Sequence, residues 1–124
     1  MKKKIIVTGG LGFIGSNLIG LLIKQNYFVI NIDSVTYSSN YYNVKEYNEH
    51  NNYKFIKCDL NNGEKLSSIF SKYKPFAIFN LAAETHVDRS IDNPKHFINS
   101  NILGVYTLLE SFRKFYKKNR DTKL

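Results

Sequence analysis

Cysteine, tryptophan, proline and long apolar runs are all scarce in this chain of 124 residues. Its single cysteine, Cys58, excludes an internal disulfide and favours a reducing, cytoplasmic location. The apolar run at residues 5–7, after three lysines, is too short for the core of a signal peptide. No stretch approaches the roughly 20 apolar residues of a membrane helix, so we expect no membrane partner.

The net charge of +8 has two interpretations. Six basic residues lie between positions 113 and 123, against one acid, Asp121. Such a cluster could bind nucleic acid or a membrane surface, but it also suits a helix C-terminus followed by a solvated tail. We favour the second interpretation and expect no nucleic-acid partner, because no nucleic-acid-binding motif accompanies the cluster.

A glycine-rich turn near the N-terminus is the most informative feature present. A short β-branched run precedes it, and an amphipathic helical pattern follows it. Its glycines fit two registers, Gly10-x-Gly12-x-x-Gly15 and Gly9-x-x-Gly12-x-x-Gly15, which are the dinucleotide-binding fingerprint and its short-chain dehydrogenase variant. Glycine tolerates φ > 0 and lets a pyrophosphate approach the backbone at a helix N-terminus. The alternative is a glycine turn with no ligand.

An acidic residue, Asp33, follows the second predicted strand, residues 28–32. It lies 18 residues after Gly15, and a βαβ unit brings that strand end beside the glycine turn. A carboxylate there can accept both hydroxyls of an adenosine ribose and would repel a 2′-phosphate. The spacing therefore predicts NAD rather than NADP, the alternative being a solvated aspartate at a strand end.

The predicted elements follow the order β-α-β-(α)-β-α-β-α. Strands are predicted at residues 4–8, 28–32, 53–59 and 76–81. One helix is predicted at residues 13–24, a second includes residues 66–73, and a third runs from residue 94 to about 118. Two lysines in the third strand indicate a sheet edge. This pattern predicts an α/β fold, a partial Rossmann-type doubly wound parallel sheet of four strands in the order 3-2-1-4, with helices on both faces. Residues 1–124 then form one domain.

Three stretches resemble one family, the dTDP-D-glucose 4,6-dehydratases, which are extended short-chain dehydrogenases. Residues 81–90, LAAETHVDRS, are similar to the family's LAAESHVDRS. Residues 33–37, DSVTY, followed by Asn40, resemble its D-x-L-T-Y-A-G-N pattern, with Ser38-Ser39 in place of Ala-Gly. Residues 99–104 are similar to the first part of its long helix. The resemblance covers essentially the whole chain.

The resemblance implies NAD as cofactor and dTDP-glucose, a nucleotide sugar, as substrate of the full enzyme. It places residues 13–14 at the pyrophosphate, 33–36 around the adenosine ribose, 59–60 beside the adenine and 81–85 along the nicotinamide ribose. The implied cofactor-binding residues are Gly9, Gly12, Phe13, Ile14, Gly15, Asp33, Ser34, Val35, Thr36, Asp59, Leu60, Leu81, Ala82, Ala83, Glu84, Thr85 and Ser100. Thr85 would also contact the substrate.

The family's catalytic Tyr-x-x-x-Lys pair and Thr-Asp-Glu run lie on later elements and have no counterpart among these residues. Two strings, Tyr41/Lys45 and Tyr53/Lys57, match the first pattern by chance, since one lies near the adenosine end and the other in a strand. The residues His86, Asp88 and Arg89 are interpreted as structural or substrate-loop residues. We therefore expect no catalytic residue, no metal site and no dehydratase activity in the isolated chain.

Two functions remain open at this point. The chain is either the N-terminal, NAD-binding part of a dTDP-glucose 4,6-dehydratase whose C-terminal catalytic and substrate-binding part is absent, or a stand-alone nucleotide-binding module or fragment of another nucleotide-sugar epimerase or dehydratase. The full enzyme would convert dTDP-glucose to dTDP-4-keto-6-deoxyglucose and water in deoxysugar synthesis. A wide apolar face on the last predicted helix indicates association, and the resemblance implies a homodimer.

Overall fold

The computed structural model describes residues 2–36, 39–83 and 91–118. Its centre is a parallel sheet of four strands, and their order, β3-β2-β1-β4, confirms the predicted 3-2-1-4. The strands are β1 (Lys4–Thr8), β2 (Phe28–Asp33), β3 (Tyr53–Lys57) and β4 (Ala77–Asn80). β3 and β4 are each two residues shorter than predicted, and β3 lies at an edge as its lysines indicated.

The helices alternate with these strands. They are α1 (Phe13–Lys24), a 3-10 helix (Tyr41–Tyr47), α2 (Gly63–Tyr73), α3 (Pro94–Ile98) and α4 (Gly104–Tyr116), with a π-helical turn (Asn99–Leu103) joining the last two. β1 and α1 have the predicted bounds, whereas the single long helix expected after Asn93 is interrupted by the π-helical turn. None of the helices in the described ranges has the length and apolar character needed to cross a bilayer.

The sheet separates two apolar cores, because successive residues of a strand point to opposite faces. On one face, Ile6 and Ile30 pack with Phe70 of α2 and Leu108 of α4. On the other face, Val7 packs among side chains of α1 and the 3-10 helix. Helices therefore cover both faces of a parallel sheet, and both faces of its central strands are apolar, as this architecture requires.

Parallel pairing brings the carboxyl ends of the strands to one edge of the sheet. Thr8 at the end of β1 lies opposite Ile32 of β2 on one side and Asn80 of β4 on the other. Asp33 of β2 lies opposite Lys57 of β3. The loops that leave these ends, including the glycine turn, consequently meet at this edge.

Candidate functional site

A cleft opens at the carboxyl edge of the sheet, where the glycine turn meets the loops that follow β2, β3 and β4. It is lined by Gly9, Gly12, Ile32, Asp33, Ser34, Thr36, Ser39, Cys58, Asp59, Leu60, Asn61, Leu81, Ala82, Ala83, Ser100 and Gly104. This position, outside the carboxyl ends of the strands, is where open α/β sheets bind small ligands.

Most of the site residues predicted from sequence line this cleft. Those brought together are Gly9, Gly12, Asp33, Ser34, Thr36, Asp59, Leu60, Leu81, Ala82, Ala83 and Ser100. Four others lie elsewhere: Phe13 and Ile14 are exposed on the first turn of α1, Gly15 is buried beneath the glycine turn, and Val35 packs against the core on the α1 side. Glu84 and Thr85 lie outside the described residues, as do His86, Asp88 and Arg89.

Thr8 joins the two strands that form the floor of the cleft. Its Oγ1 donates to Oδ1 of Asn80 at 2.6 Å and accepts the backbone N–H groups of Leu81 at 3.1 Å and Ala82 at 3.2 Å. The Thr8 side chain is fully buried. One hydroxyl therefore satisfies two backbone donors at the point where β4 ends and fixes the path of the chain beyond it.

Gly9 is required by this close approach of the two strand ends. It has φ +72°, and a Cβ there would lie 2.7 Å from both the N and Cα atoms of Ala82. A second glycine, Gly15, faces the carbonyl oxygen of Gly9, which a Cβ would overlap. Both positions are thus glycine because the backbone of the protein itself occupies the space.

Gly12 is less crowded than Gly9 and Gly15, because only one protein atom lies close to the position of a Cβ. A Cβ on Gly12 would come within 4 Å of only one atom outside its neighbours, the carbonyl oxygen of Gly9, at 3.3 Å. Its φ of −78° suits any residue, and it lines the cleft. As N-cap of α1, Gly12 offers no side chain to the first N–H groups of the helix, and no acid lies in the first turn. The helix N-terminus is therefore open to an anion.

Asp33 lies opposite the glycine turn and organises the loop between β2 and the 3-10 helix. Its Oδ2 accepts the backbone N–H of Leu11 at 3.0 Å. Its Oδ1 accepts the N–H of Val35 at 2.8 Å and the hydroxyl of Ser39 at 2.9 Å. The carboxylate is 6% exposed, so these bonds compensate for its burial.

Leu11 ties the glycine turn to the same loop from the other side. Its carbonyl oxygen accepts the N–H of Asn40 at 3.1 Å and Nδ2 of Asn43 at 3.0 Å. With the bond from its own N–H to Asp33, both backbone polar groups of Leu11 are used. The glycine turn and the loop after β2 are thereby held at a fixed separation across the cleft.

The opposite wall comes from the end of β3 and the π-helical turn. Oδ1 of Asp59 accepts the N–H of Asn61 at 2.9 Å, and Nδ2 of Asn61 donates to the carbonyl of Asn99 at 3.1 Å. A Cβ on Gly104 would lie 3.4 Å from Cβ of Leu60, so this helix packs close to the wall. This contact places Ser100, half-buried, in the lining of the cleft.

Sequence reasoning missed five lining residues: Ile32, Ser39, Cys58, Asn61 and Gly104. The polar triplet Asn99-Ser100-Asn101 before Gly104 is a weak helix former, and it was the available signal for an interrupted helix. Burial raises the pKa of the Cys58 thiol, and its Sγ donates to the carbonyl of Asp59 at 3.3 Å. Cys58 is thus a neutral, packed thiol and not a nucleophile.

Neither of the two Tyr-x-x-x-Lys strings lines the cleft. Tyr53, in one of the two Tyr-x-x-x-Lys strings, is buried in β3 and accepts Nδ2 of Asn31 at 3.0 Å. Burial raises the pKa of the Tyr53 phenol, the opposite of what a tyrosine base requires. Within the described ranges, no group of three His, Cys, Asp or Glu residues is placed to hold a metal ion.

The fold, the glycine turn and the acid at the end of β2 define a Rossmann-type domain of the dinucleotide-binding class. The family described as GDP-mannose 4,6 dehydratase matches residues 6–124, and the chain belongs to this family. The dTDP-glucose 4,6-dehydratase of Salmonella typhimurium is 45% identical to it over 114 residues, which is 91% of this chain and 32% of that protein.

Two solved structures show the same similarity. The dTDP-glucose 4,6-dehydratase of Bacillus anthracis, in complex with NAD, is 40% identical with a TM-score of 0.80, covering 98% of this chain and 36% of that one. The UDP-glucose 4-epimerase of Thermotoga maritima, with UDP-glucose, is 35% identical with a TM-score of 0.81, and the match covers 90% of this chain and 34% of that one. The chain thus spans about a third of the length of the relatives it matches.

Proposed function

We propose that this chain is the NAD-binding, N-terminal part of a dTDP-glucose 4,6-dehydratase. The observation that carries the proposal is Gly12, at the open N-terminus of α1, where an added Cβ would meet a single protein atom, the carbonyl oxygen of Gly9. The residues around it fit a dinucleotide: an anion site at the helix, a carboxylate across the cleft and a polar wall at Asp59. The cleft is also continuous from Asp33 to Ala83, across the end of the sheet.

Each part of the cleft has a binding role in this proposal. The first N–H groups of α1 hold the pyrophosphate, Asp33 accepts from the adenosine ribose, and Asp59 accepts from the adenine amine. Residues 81–83 border the nicotinamide side, where Thr8 holds the backbone rigid. NAD supplies a hydride acceptor that later returns the hydride, and these residues bind and orient it. The catalytic base and the eliminating carboxylates belong to the part of the enzyme that follows.

The likeness to UDP-glucose 4-epimerase supports a second candidate, the same part of a nucleotide-sugar epimerase. The residues following Leu124 in the gene separate the two. An in-frame continuation with a Tyr-x-x-x-Lys pair and a Thr-Asp-Glu run would support the dehydratase. A continuation with the pair alone would support the epimerase, and no continuation would favour a stand-alone module.

Two glycine variants test the binding site. Gly12→Ala adds a Cβ that meets one protein atom and fills the approach to the helix N-terminus. Gly63→Ala, at the first turn of α2, meets Thr107 and Ser111 at ordinary contact distances of 3.5 and 3.6 Å and serves as the matched control. Calorimetric titration should show NAD binding weakened at least tenfold, about 1.4 kcal/mol, in Gly12→Ala only. Absence of NAD binding by the unaltered chain would refute the proposal.

We also propose that the chain associates with a second copy through α3 and α4. Leu108 and Phe115 of α4 are buried against the sheet, which accounts for one part of its apolar face. Exposed apolar side chains continue from α3 through the π-helical turn into α4, and they are Ile98, Ile102, Leu103, Tyr106 and Leu109. An exposed apolar stripe of this extent supports a helix-to-helix contact.

A further inference from the structure

Ser39 lies at the rim of the cleft and has no role in the proposal above. Its Oγ donates to Oδ1 of Asp33 at 2.9 Å and accepts the N–H of Thr36 at 3.0 Å. Its own N–H donates to the carbonyl of Thr36 at 3.0 Å. The hydroxyl is therefore held in one orientation, with its proton on the carboxylate.

The carboxylate of Asp33 has few acceptor positions left for a ligand. An ionised carboxylate offers about four lone-pair positions. At least three are in use, by the N–H groups of Leu11 and Val35 and by the hydroxyl of Ser39. At most one remains, whereas an adenosine ribose presents two hydroxyl donors. In this arrangement Asp33 alone cannot accept both.

A ligand cannot displace the two backbone N–H groups that donate to Asp33. The carbonyl of Leu11 is itself bound by Asn40 and Asn43, so that its peptide is fixed on both sides. Val35 has φ +62°, a left-handed conformation that is rare for a β-branched residue, and its bond to Asp33 closes the turn that imposes it. Ser39 is the remaining partner that a ligand can engage.

A serine hydroxyl has two lone pairs, and the N–H of Thr36 uses one of them on Ser39. The other is available on a half-buried side chain that lines the cleft. We propose that Ser39 is a ligand of the adenosine ribose, with Oδ2 of Asp33 accepting one ribose hydroxyl and Oγ of Ser39 accepting the other. This rests on the proposed NAD binding. It is specific to this chain, because the resembling family pattern has glycine at this position.

The same geometry favours NAD over NADP. The proton of Ser39 is committed to Asp33, so the side chain presents only an acceptor to the ligand. A 2′-phosphate has no donor to offer, and whichever of the two side chains it faces, the carboxylate of Asp33 or the hydroxyl of Ser39, presents only an acceptor. Ser39 therefore adds to the preference for NAD over NADP that Asp33 provides.

Binding of NAD and of its 2′-deoxyadenosine and 3′-deoxyadenosine analogues tests the assignment. Ser39→Ala should weaken NAD binding about threefold to tenfold, the range for one neutral hydrogen bond, and Ser39→Thr should restore it. One of the two analogues lacks the ribose hydroxyl that Ser39 accepts. Ser39→Ala and the unaltered chain should bind that analogue with equal affinity. Ser68→Ala, exposed on α2, is the control and should change nothing.

The outcomes separate this assignment from the proposal beneath it. If the unaltered chain binds no NAD, both fail. If the unaltered chain binds NAD and Ser39→Ala binds each of the three ligands with the same affinity as the unaltered chain, only the Ser39 assignment fails. Tighter NAD binding by Ser39→Ala would also overturn it, since the serine would then compete with the ribose for Asp33. An equal loss for all three ligands would indicate a loop effect and reject the direct contact.

Discussion

Tyr47 of the 3-10 helix places its phenolic oxygen over the α-carbon of Gly20, in the middle of α1. A Cβ on Gly20 would overlap that oxygen and lie 3.3 Å from Cζ of the ring. Tyr47 in turn packs against Tyr53 of β3, with ring centroids 6.3 Å apart. A glycine that weakens α1 as an isolated helix is therefore what allows the 3-10 helix to dock on it.

This contact predicts that Gly20→Ala lowers the free energy of unfolding when Tyr47 is present and raises it when residue 47 is alanine. In the unaltered chain, the new Cβ displaces Tyr47, and we expect a lower free energy of unfolding. In a Tyr47→Ala background the clash is gone, and the substitution should stabilise by up to about 1 kcal/mol through helix propensity. Urea unfolding of the four chains measures both changes. The same sign in both backgrounds would contradict the contact.

Thr8→Val should destabilise the protein while preserving its shape. The substitution removes the hydroxyl that binds Asn80, Leu81 and Ala82; the N–H of Leu81 keeps its bond to the carbonyl of Thr8, whereas Asn80 and Ala82 each lose a part-buried hydrogen bond. Each hydrogen bond contributes about 0.5–1.5 kcal/mol, so the loss of two should lower the free energy of unfolding by about 1–3 kcal/mol. Thr8→Ser keeps the hydroxyl and is the matched control. Equal thermal stability of the two variants would show that the network is unimportant.

Asp33→Asn should weaken NAD binding and reduce the preference for NAD over NADP. The amide is similar in size but lacks the charge that repels a 2′-phosphate, and its Nδ2 cannot accept the bonds now made to Asp33. Hydrogen bonds to charged groups contribute about 1.5–3 kcal/mol, and we expect a loss of NAD affinity in that range. Titration of both chains with both cofactors is the measurement. An unaltered chain that prefers NADP would refute this role for Asp33.

Ionisation of the Cys58 thiol should lower the free energy of unfolding of the protein at alkaline pH. Burial raises the pKa of this thiol, with Lys65 opposing the shift and Asp59 adding to it. Because the pKa is higher in the folded state, the stabilisation is complete below the unfolded value of about 8.5 and is lost as pH rises through the folded value. Above about pH 8.5, the free energy of unfolding should fall more steeply for the unaltered chain than for Cys58→Ala. Parallel profiles would contradict the prediction.

The parts of this structure that were predictable are those specified by local patterns. β1 and α1 have the predicted bounds because a β-branched run, a glycine turn and a helical apolar period succeed one another without conflict. The strand order followed from right-handed crossovers between parallel strands. Asn62 is the N-cap of α2, and its side chain accepts a hydrogen bond from the N–H of Lys65.

The features that escaped prediction depend on contacts between distant residues. The π-helical turn before Gly104 is set by packing against Leu60, more than forty positions earlier in the chain. The optional short helix expected between the second and third strands is present as the 3-10 helix, but its position depends on Asn40, which accepts the N–H of Tyr42, and on docking over Gly20. Ser39 was visible only as a departure from a family pattern, and its bond to Asp33 requires the loop to be folded.

The exposed side chains of α3 and α4 predict that the chain is not a stable monomer in solution. Ile102 is 60% exposed and Tyr106 is 63% exposed, one helical turn apart and on the side of the helix away from Leu108. β4, with Phe79 40% exposed, is also an edge strand in the described sheet and offers a second adhesive surface. Light scattering after size exclusion, at several concentrations, should therefore give a mass above 14.4 kDa that rises with concentration.

Two variants distinguish the helical surface from the strand edge. Ile102→Lys places a charge in the centre of the exposed stripe and should shift the species towards monomer without altering the melting temperature of the monomer. Phe79→Lys tests the edge strand in the same way and serves as the comparison. Dissociation by the first substitution alone would assign the contact to α3 and α4. Dissociation by the second alone would assign it to the edge of the sheet, and a monodisperse unaltered monomer with a cooperative melt would refute association and favour a self-sufficient binding module.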